Sequence, residues 1–302
     1  NKAIRKKSLV IWQRPRPTSW AEQLYIIRAI RSLDSILLTE WDDHPELFPK
    51  EVQIALQKIS MAPLKLCHGL HTSSYILADS LKNIQPNCYV FGNAIWRIPI
   101  INIDKHIKET NQIRIFIGNQ NRAWEHNSLI QPLLDWSEEE NDIKFVVIGD
   151  SKMAKALPFK KVENYSLLNY LEYRKVMRTC HIALLPLKNN LPNNCKTEIK
   201  WMEAAAESVA VIAGPGLYKE IINGNKNGIY CESINDIVPK ARQLKKDLFS
   251  RMNILSNAHN KVLKDHNLRN ILPERVQLYK EIWEKRFSLD EILLKRFPEI
   301  SE

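Results

Sequence analysis

The feature that most limits what this chain can fold into is an alternation of short apolar runs with stretches of helical period, repeated along nearly its whole length. Residues 9–12 read as a strand. Ser19 and Glu22 form a capping box ahead of an apolar stripe at Trp20, Leu24, Ile27 and Ile30, which predicts a helix to about Leu33. Residues 36–39 are the next strand. A helix over Val52, Ala55, Leu56 and Ile59 follows, then a strand-like run at 64–68, then a helix capped by Thr72 and Ser73 with Ile76, Leu77 and Leu81 on its inner face. A fourth strand, 88–91, ends at Gly92. Strands separated by helices of roughly 10–14 residues pair in parallel, because parallel neighbours need crossover connections.

Residues 98–109 lack a clean period and contain Pro99, so they read as a linker. The alternation then resumes: strands at 113–117, 145–148, 182–185, 209–213 and 229–231, with helices near 125–136, 167–178, 196–207 and 217–222 and long helical segments from about Ile234. The last of these, 272–287, puts Val276, Tyr279, Ile282 and Trp283 on one face, a stripe that suits packing across the domains or a membrane surface. The expected architecture is α/β, two doubly wound domains in series. Their expected bounds are 1–97 for the first lobe, 98–110 for the linker, 111–268 for the second domain and 269–302 for a helical return. With Asn1 rather than Met at the start and so few residues before the linker, the first lobe is expected to lack an upstream strand and helix.

Composition narrows the class. A net charge of +10 over 302 residues favours an anionic partner. The excess is spread along the chain, and basic residues are not interleaved with aromatics in a recognisable nucleic-acid module, so no nucleic-acid partner is expected. The cysteines, Cys67, Cys88, Cys180, Cys195 and Cys231, are an odd set without a close pair, which fits a reducing cytoplasm and neither a disulfide framework nor a zinc site. No apolar run approaches the roughly 18–20 residues of a spanning helix. Glycine is scarce, eight residues in all, and six of them (Gly118, Gly149, Gly214, Gly216, Gly224, Gly228) fall at strand ends or loops of the second domain.

Ligands of open α/β sheets bind beyond the carboxyl ends of strands. Four segments qualify: 118–122, 149–150, 186–200 and 214–218. In the third, a polar loop at 189–194 leads into a helix expected from Lys196, whose free amides and dipole favour an anion. Lys196 and Lys200, four apart, are expected on one helical face, with Glu203 one turn further. Two cations and a carboxylate suit a nucleotide diphosphate and its ribose; a solvated face with an ordinary ion pair is the other reading. Arg122 follows a glycine-ended strand, where a guanidinium either bridges to the same phosphates or lies on the surface. Neither a dinucleotide fingerprint nor a Walker sequence is present. Asp42, Asp43 and His44 follow a first-lobe strand and have three readings: positioning an acceptor hydroxyl, capping the next element while pairing with Arg14 or Arg16, or holding a divalent metal. The first is carried forward, and no metal site is expected.

The run from Lys196 to Ala206, followed by residues 209–213 and then Gly214, Pro215, Gly216, Leu217 and Tyr218, resembles the donor-binding core of bacterial GT-B glycosyltransferases of the family-four type, glycosyl transferases group 1. Residues 223–230 are similar to that family's last donor element, Gly118 with Asn121 and Arg122 to its first, and Gln13, Arg14, Pro15, residues 41–45, residues 71–73 and residues 92–95 to first-lobe motifs. The resemblance implies two Rossmann-like lobes facing a cleft, with a C-terminal helix crossing back to the first. It also implies transfer of a sugar from a nucleotide-diphosphate donor to a saccharide or glycolipid acceptor, with retention and no obligatory cofactor. Glu203 would bind the donor ribose, and Arg122 and Lys200, helped by Lys196, would steady the departing diphosphate; Gly118, Asn121, Thr197 and 214–218 would line the donor. The setting it implies is surface-polysaccharide assembly, in the cytoplasm or peripheral to the inner membrane face. One departure matters: where the family commonly has a second Glu, eight positions before Glu203, this chain has Cys195, so sugar contacts are expected from Asn194 or the amides of 214–217. A sugar-nucleotide epimerase and a catalytically silent binding module of a larger protein are the rival readings.

Overall fold

The structure is a computed structural model that describes residues 7–107, 112–118, 125, 127–222 and 224–301. The chain divides into two units, one of residues 1–93, 191–197 and 272–302, the other of 94–190 and 198–271.

The first unit holds four parallel strands, β1 (Leu9–Gln13), β2 (Ile36–Trp41), β3 (Gly69–Thr72) and β4 (Cys88–Val90), in the order β1-β2-β3-β4. The helix Trp20–Arg31 starts at the predicted capping box: the Ser19 hydroxyl accepts from the Glu22 N–H, and the Glu22 carboxylate accepts from the Ser19 N–H at 2.8 Å. Two local expectations are corrected. The run at 64–68 is not a strand; Ala62–Lys65 is a short helix with Pro63 in its first turn, and pairing begins at Gly69. A short apolar run buried on every side reads alike in either state. The next helix, Tyr75–Leu81, is capped by Ser74 rather than Thr72 or Ser73, its hydroxyl accepting from the Leu77 N–H at 3.2 Å.

Because the strand order is sequential, right-handed crossovers place the connecting helices on one face of this sheet. Leu37 and Leu70 meet Ile27, Leu56 and Leu77 there. The other face is closed by the chain's last helices, Leu268–Glu284 and Arg286–Arg296: Ile36 and Leu38 pack on Ile282 and Leu289, with Tyr279 and Trp283 alongside. The predicted apolar stripe therefore packs inside this unit through Ile282 and Trp283, while Val276 stays exposed. Asp290 fastens the layer, accepting from Arg31 at 2.6 and 3.0 Å and from His68 at 3.2 Å. The His68 Nδ1 accepts the Leu37 N–H, so its Nε2 carries the proton it gives Asp290.

The second unit has six parallel strands: β5 (Ile113–Gly118), β6 (Ile143–Ile148), β7 (Val162–Tyr165), β8 (Ile182–Pro186), β9 (Ala210–Gly214) and β10 (Ile229–Tyr230). Their order, β10-β9-β8-β5-β6-β7, reverses between β5 and β8, the switch point of a doubly wound sheet. Both faces are buried, as the near-continuous apolar strands require. Phe116, Ala183 and Val211 face the helix Ile199–Ala206, while Ile117, Phe145 and Leu184 face Trp136 and Ala241. The described part of the stretch read as a linker groups with this unit: Lys105 reaches the Arg178 and Glu207 carbonyls at 2.9 and 3.1 Å, and His259 bonds the Pro99 carbonyl. Among the described residues no helix is long and apolar enough to cross a membrane.

Candidate functional site

A cavity of about 300 Å³ opens beyond the carboxyl ends of β5 and β6, at the switch point of the second sheet. Gly118 and Ile148 form its floor, Tyr170 and Tyr173 one wall, and Lys200 with Glu203 the other. A Cβ at position 118 would lie 2.7 Å from the Phe116 ring, so a side chain on this floor would force that buried ring to shift.

Lys200 and Glu203 project from the helix Ile199–Ala206 one turn apart, and the ammonium lies 3.2 Å from Glu203 Oε2. It also sits 3.3 Å from the Tyr173 hydroxyl and 4.6 Å from the centre of that ring. Glu203 is 4% exposed, so its charge is held by a partner rather than by water. Burial pushes the Tyr170 hydroxyl pKa up, and the Glu203 charge adds to this. Below this pair Arg174 ties the wall together, donating to Glu207 at 2.7 Å, to the Tyr170 hydroxyl at 3.0 Å and to the Arg97 carbonyl. One carboxylate and one ammonium, aimed into a small cavity with phenols, can accept from vicinal hydroxyls and balance an anion.

The other expected residues distribute differently. Arg122 and Asn121 lie outside the described residues, as does Asn223. Lys196 does not share a helical face with Lys200, because the helix begins at Ile199 and residues 191–197 group with the first unit. The segment is anchored before the helix starts: Asn93 donates to the Thr197 hydroxyl at 2.6 Å, and the Ser74 hydroxyl donates to the Cys195 carbonyl at 2.7 Å. Cys195 itself is fully buried in the first unit's apolar core, which accounts for a thiol where the resemblance leads one to expect a carboxylate. In the turn after β9, Gly214 has φ +140° and an added Cβ would lie 2.1 Å from the Cys231 carbonyl oxygen, so this close approach demands glycine. Pro215, Gly216 and Leu217 form the turn, but Tyr218 is a core residue, fully buried against the sheet.

In the first unit, Asp42 takes a two-oxygen contact from Arg14 at 3.1 Å and His44 caps the turn Pro45–Leu47. That is the capping and pairing alternative for these two. Burial pushes the Asp43 carboxyl pKa up and Asp42 reinforces this, against the lowering influence of Lys196 and Arg14. Among the described residues no group of three His, Cys, Asp or Glu side chains could hold a metal. Tyr170, Tyr173 and the Arg174–Glu207 pair escaped the sequence reading; the i, i+3 phenols opening the helix after β7 were the available signal.

The same two-unit architecture occurs in solved glycosyltransferases. Sucrose-phosphate synthase from Thermosynechococcus elongatus matches with a TM-score of 0.68 at 12% identity, over 91% of this chain and 74% of that one. A glycosyltransferase from Rickettsia africae matches at 0.61 and 16%, over 90% and 76%. HepE from Anabaena, solved in complex with UDP-glucose, matches at 0.64 and 13%, over 87% and 77%. The fold is therefore that of the GT-B glycosyltransferases. Residues 111–247 match the family described as "Glycosyl transferases group 1". No curated protein sequence matches the chain.

Proposed function

We propose that this chain transfers a sugar from a nucleotide-diphosphate donor to a saccharide or glycolipid acceptor, with retention, in the assembly of a surface glycoconjugate. The observation that carries the reading is the Lys200–Glu203 pair in a cavity at the switch point of the sheet, within the residues that match the group 1 family. Glu203 accepts from the two ribose hydroxyls, and Lys200, released from Glu203 by that exchange, faces the diphosphate. As the glycosidic bond breaks, negative charge grows on the leaving diphosphate, and a fixed cation there lowers the barrier. Arg122 is assigned to the same charge by resemblance. The turn 214–217 contributes backbone groups to the donor, and Asp43 is the remaining acceptor-side candidate of its trio. HepE from Anabaena, which has the same fold and is solved in complex with UDP-glucose, supports a nucleotide-sugar donor.

The test is a calorimetric and turnover screen of the intact chain against UDP, GDP, CDP and dTDP sugars. Saturable binding of one class followed by sugar release or transfer supports the reading. Binding without turnover, in line with the buried Cys195, would assign a silent module instead, and no binding at all would reject the donor site.

A further inference from the structure

The second unit holds another cavity, of about 840 Å³, at the amino edge of the same sheet. Gln112 and Arg114 stand at the start of β5 and His181 immediately before β8, while Lys105, Lys175 and Arg178 come from flanking helices. Among the described residues, those lining it include four cations and no carboxylate. Two carboxylates lie behind it, and each is already engaged: Glu163 takes both Arg114 N–H groups at 2.5 and 2.7 Å, and Glu207 is held by Arg174 at 2.5 Å, with Arg178 more distant at 3.9 Å. Lys105, Lys175 and Arg178 are the excess.

Lys105 is the telling member. Its ammonium has three N–H groups, and two of them go to neutral carbonyls, those of Arg178 and Glu207. Burial brings its pKa down to about 7, and the neighbouring Arg178 charge acts in the same direction, against Cys180 and Glu207. His181 is lowered to about 4 by burial first; its bond to the Lys105 carbonyl opposes this, and the Lys105, Arg251 and Arg114 charges add to the lowering. Burial is the largest cause for both groups, so a charge on either is poorly solvated. A cation held near neutrality in this way gains most from an incoming anion.

We propose that this cavity binds a small phosphate-bearing molecule, with the phosphate held by Lys105, Lys175 and Arg178 and the rest of the ligand beside Asn102 and Gln112. A tetrahedral dianion matches three converging cationic donors better than a single carboxylate does, and a guanidinium offers it two parallel N–H groups. The volume is that of a small-molecule site.

The test is calorimetry on the intact chain with inorganic phosphate and with glycerol 3-phosphate, in chloride of matched ionic strength. Saturable binding of both is expected, with glycerol 3-phosphate at least as tight. Lys105 ties two helices together, so its removal risks the fold; the exposed pair is the sharper probe, and K175Q with R178Q should weaken binding at least tenfold. K200M, in the cavity at the carboxyl ends of the strands, should leave it unchanged. Absence of saturable binding, or a loss that follows Lys200 instead, would overturn the proposal. Binding of inorganic phosphate alone would overturn its small-molecule part.

Discussion

The Lys200 ammonium and the Glu203 carboxylate stand 3.2 Å apart across one turn of the same helix, with the acid 4% exposed and the base still within reach of the cavity. Under the proposed function the pair is exchanged on binding, the nucleotide replacing the bond that each charge makes to the other. Removing one member has unequal effects. Glu203→Gln keeps the shape but loses a charged acceptor, worth about 1.5–3 kcal/mol. Donor affinity should fall about 10- to 100-fold, read by calorimetry, with an unchanged far-ultraviolet spectrum.

Lys200→Met instead leaves the Glu203 charge buried without its cation. It should lower stability by about 1–3 kcal/mol in urea unfolding, and the Lys200→Met, Glu203→Gln double variant should recover part of that loss. Simple additivity of the two single changes would show that the pair is not coupled.

In a second pair, Arg174 and Glu207, both members are buried, at 6% and 5% exposure. Here removal of one partner strands a charge in the protein interior. Glu207→Ala should cost about 3–5 kcal/mol in chemical denaturation. A cost below about 1 kcal/mol would mean that Arg174 finds water or another acceptor.

Acid sensitivity should appear in two windows. His106 and His181 are held down to about 3 and about 4, chiefly by burial, below an ordinary value near 6.5. The unfolded chain therefore binds protons first, and stability falls as pH drops from about 6.5 towards 4, by up to about 1.4 kcal/mol per unit for each group. His181→Gln should flatten that slope in thermal melts between pH 7 and 4.5.

The second window belongs to Asp290. Burial pushes its carboxyl up, but hydrogen bonds from His68 and Arg31 outweigh this and bring it to about 2. Its folded value is below the unfolded one, so its contribution is complete above about pH 4 and is lost as pH falls towards 2. The difference in urea midpoint between the wild type and Asp290→Asn should shrink between pH 5 and 2.5; a constant difference would contradict the assignment.

Most strands, and the parallel pairing, were legible because buried parallel strands are nearly continuous apolar runs. The capping box at Ser19 and Glu22 was legible because both partners lie within one turn. The run at 64–68 misled for the same reason the strands were easy: Leu64 and Leu66 are buried on all sides, and periodicity cannot separate a buried helix from a buried strand. At the site, Glu203 and Lys200 could be found from i, i+3 spacing on a helix that really forms. Lys196 could not be placed, because the bonds that hold its segment, from Ser74 and Asn93, come from residues more than a hundred positions away. Cys195 shows the same limit: its burial depends on a distant core.

The closure of the first sheet by Ile282 and Leu289 also fixes an order of events during synthesis. Ile36 and Leu38 leave the ribosome early but have nothing to cover that face until some 250 further residues have followed, and Arg28 waits longer still for the Ile300 carbonyl, 272 positions on. The second unit, which lies wholly within residues 94–271, can complete its core first. The sheet formed by residues 9–90 is therefore covered only after residues 94–271 have been made, and in the interval its open apolar face is a place where the nascent chain can aggregate.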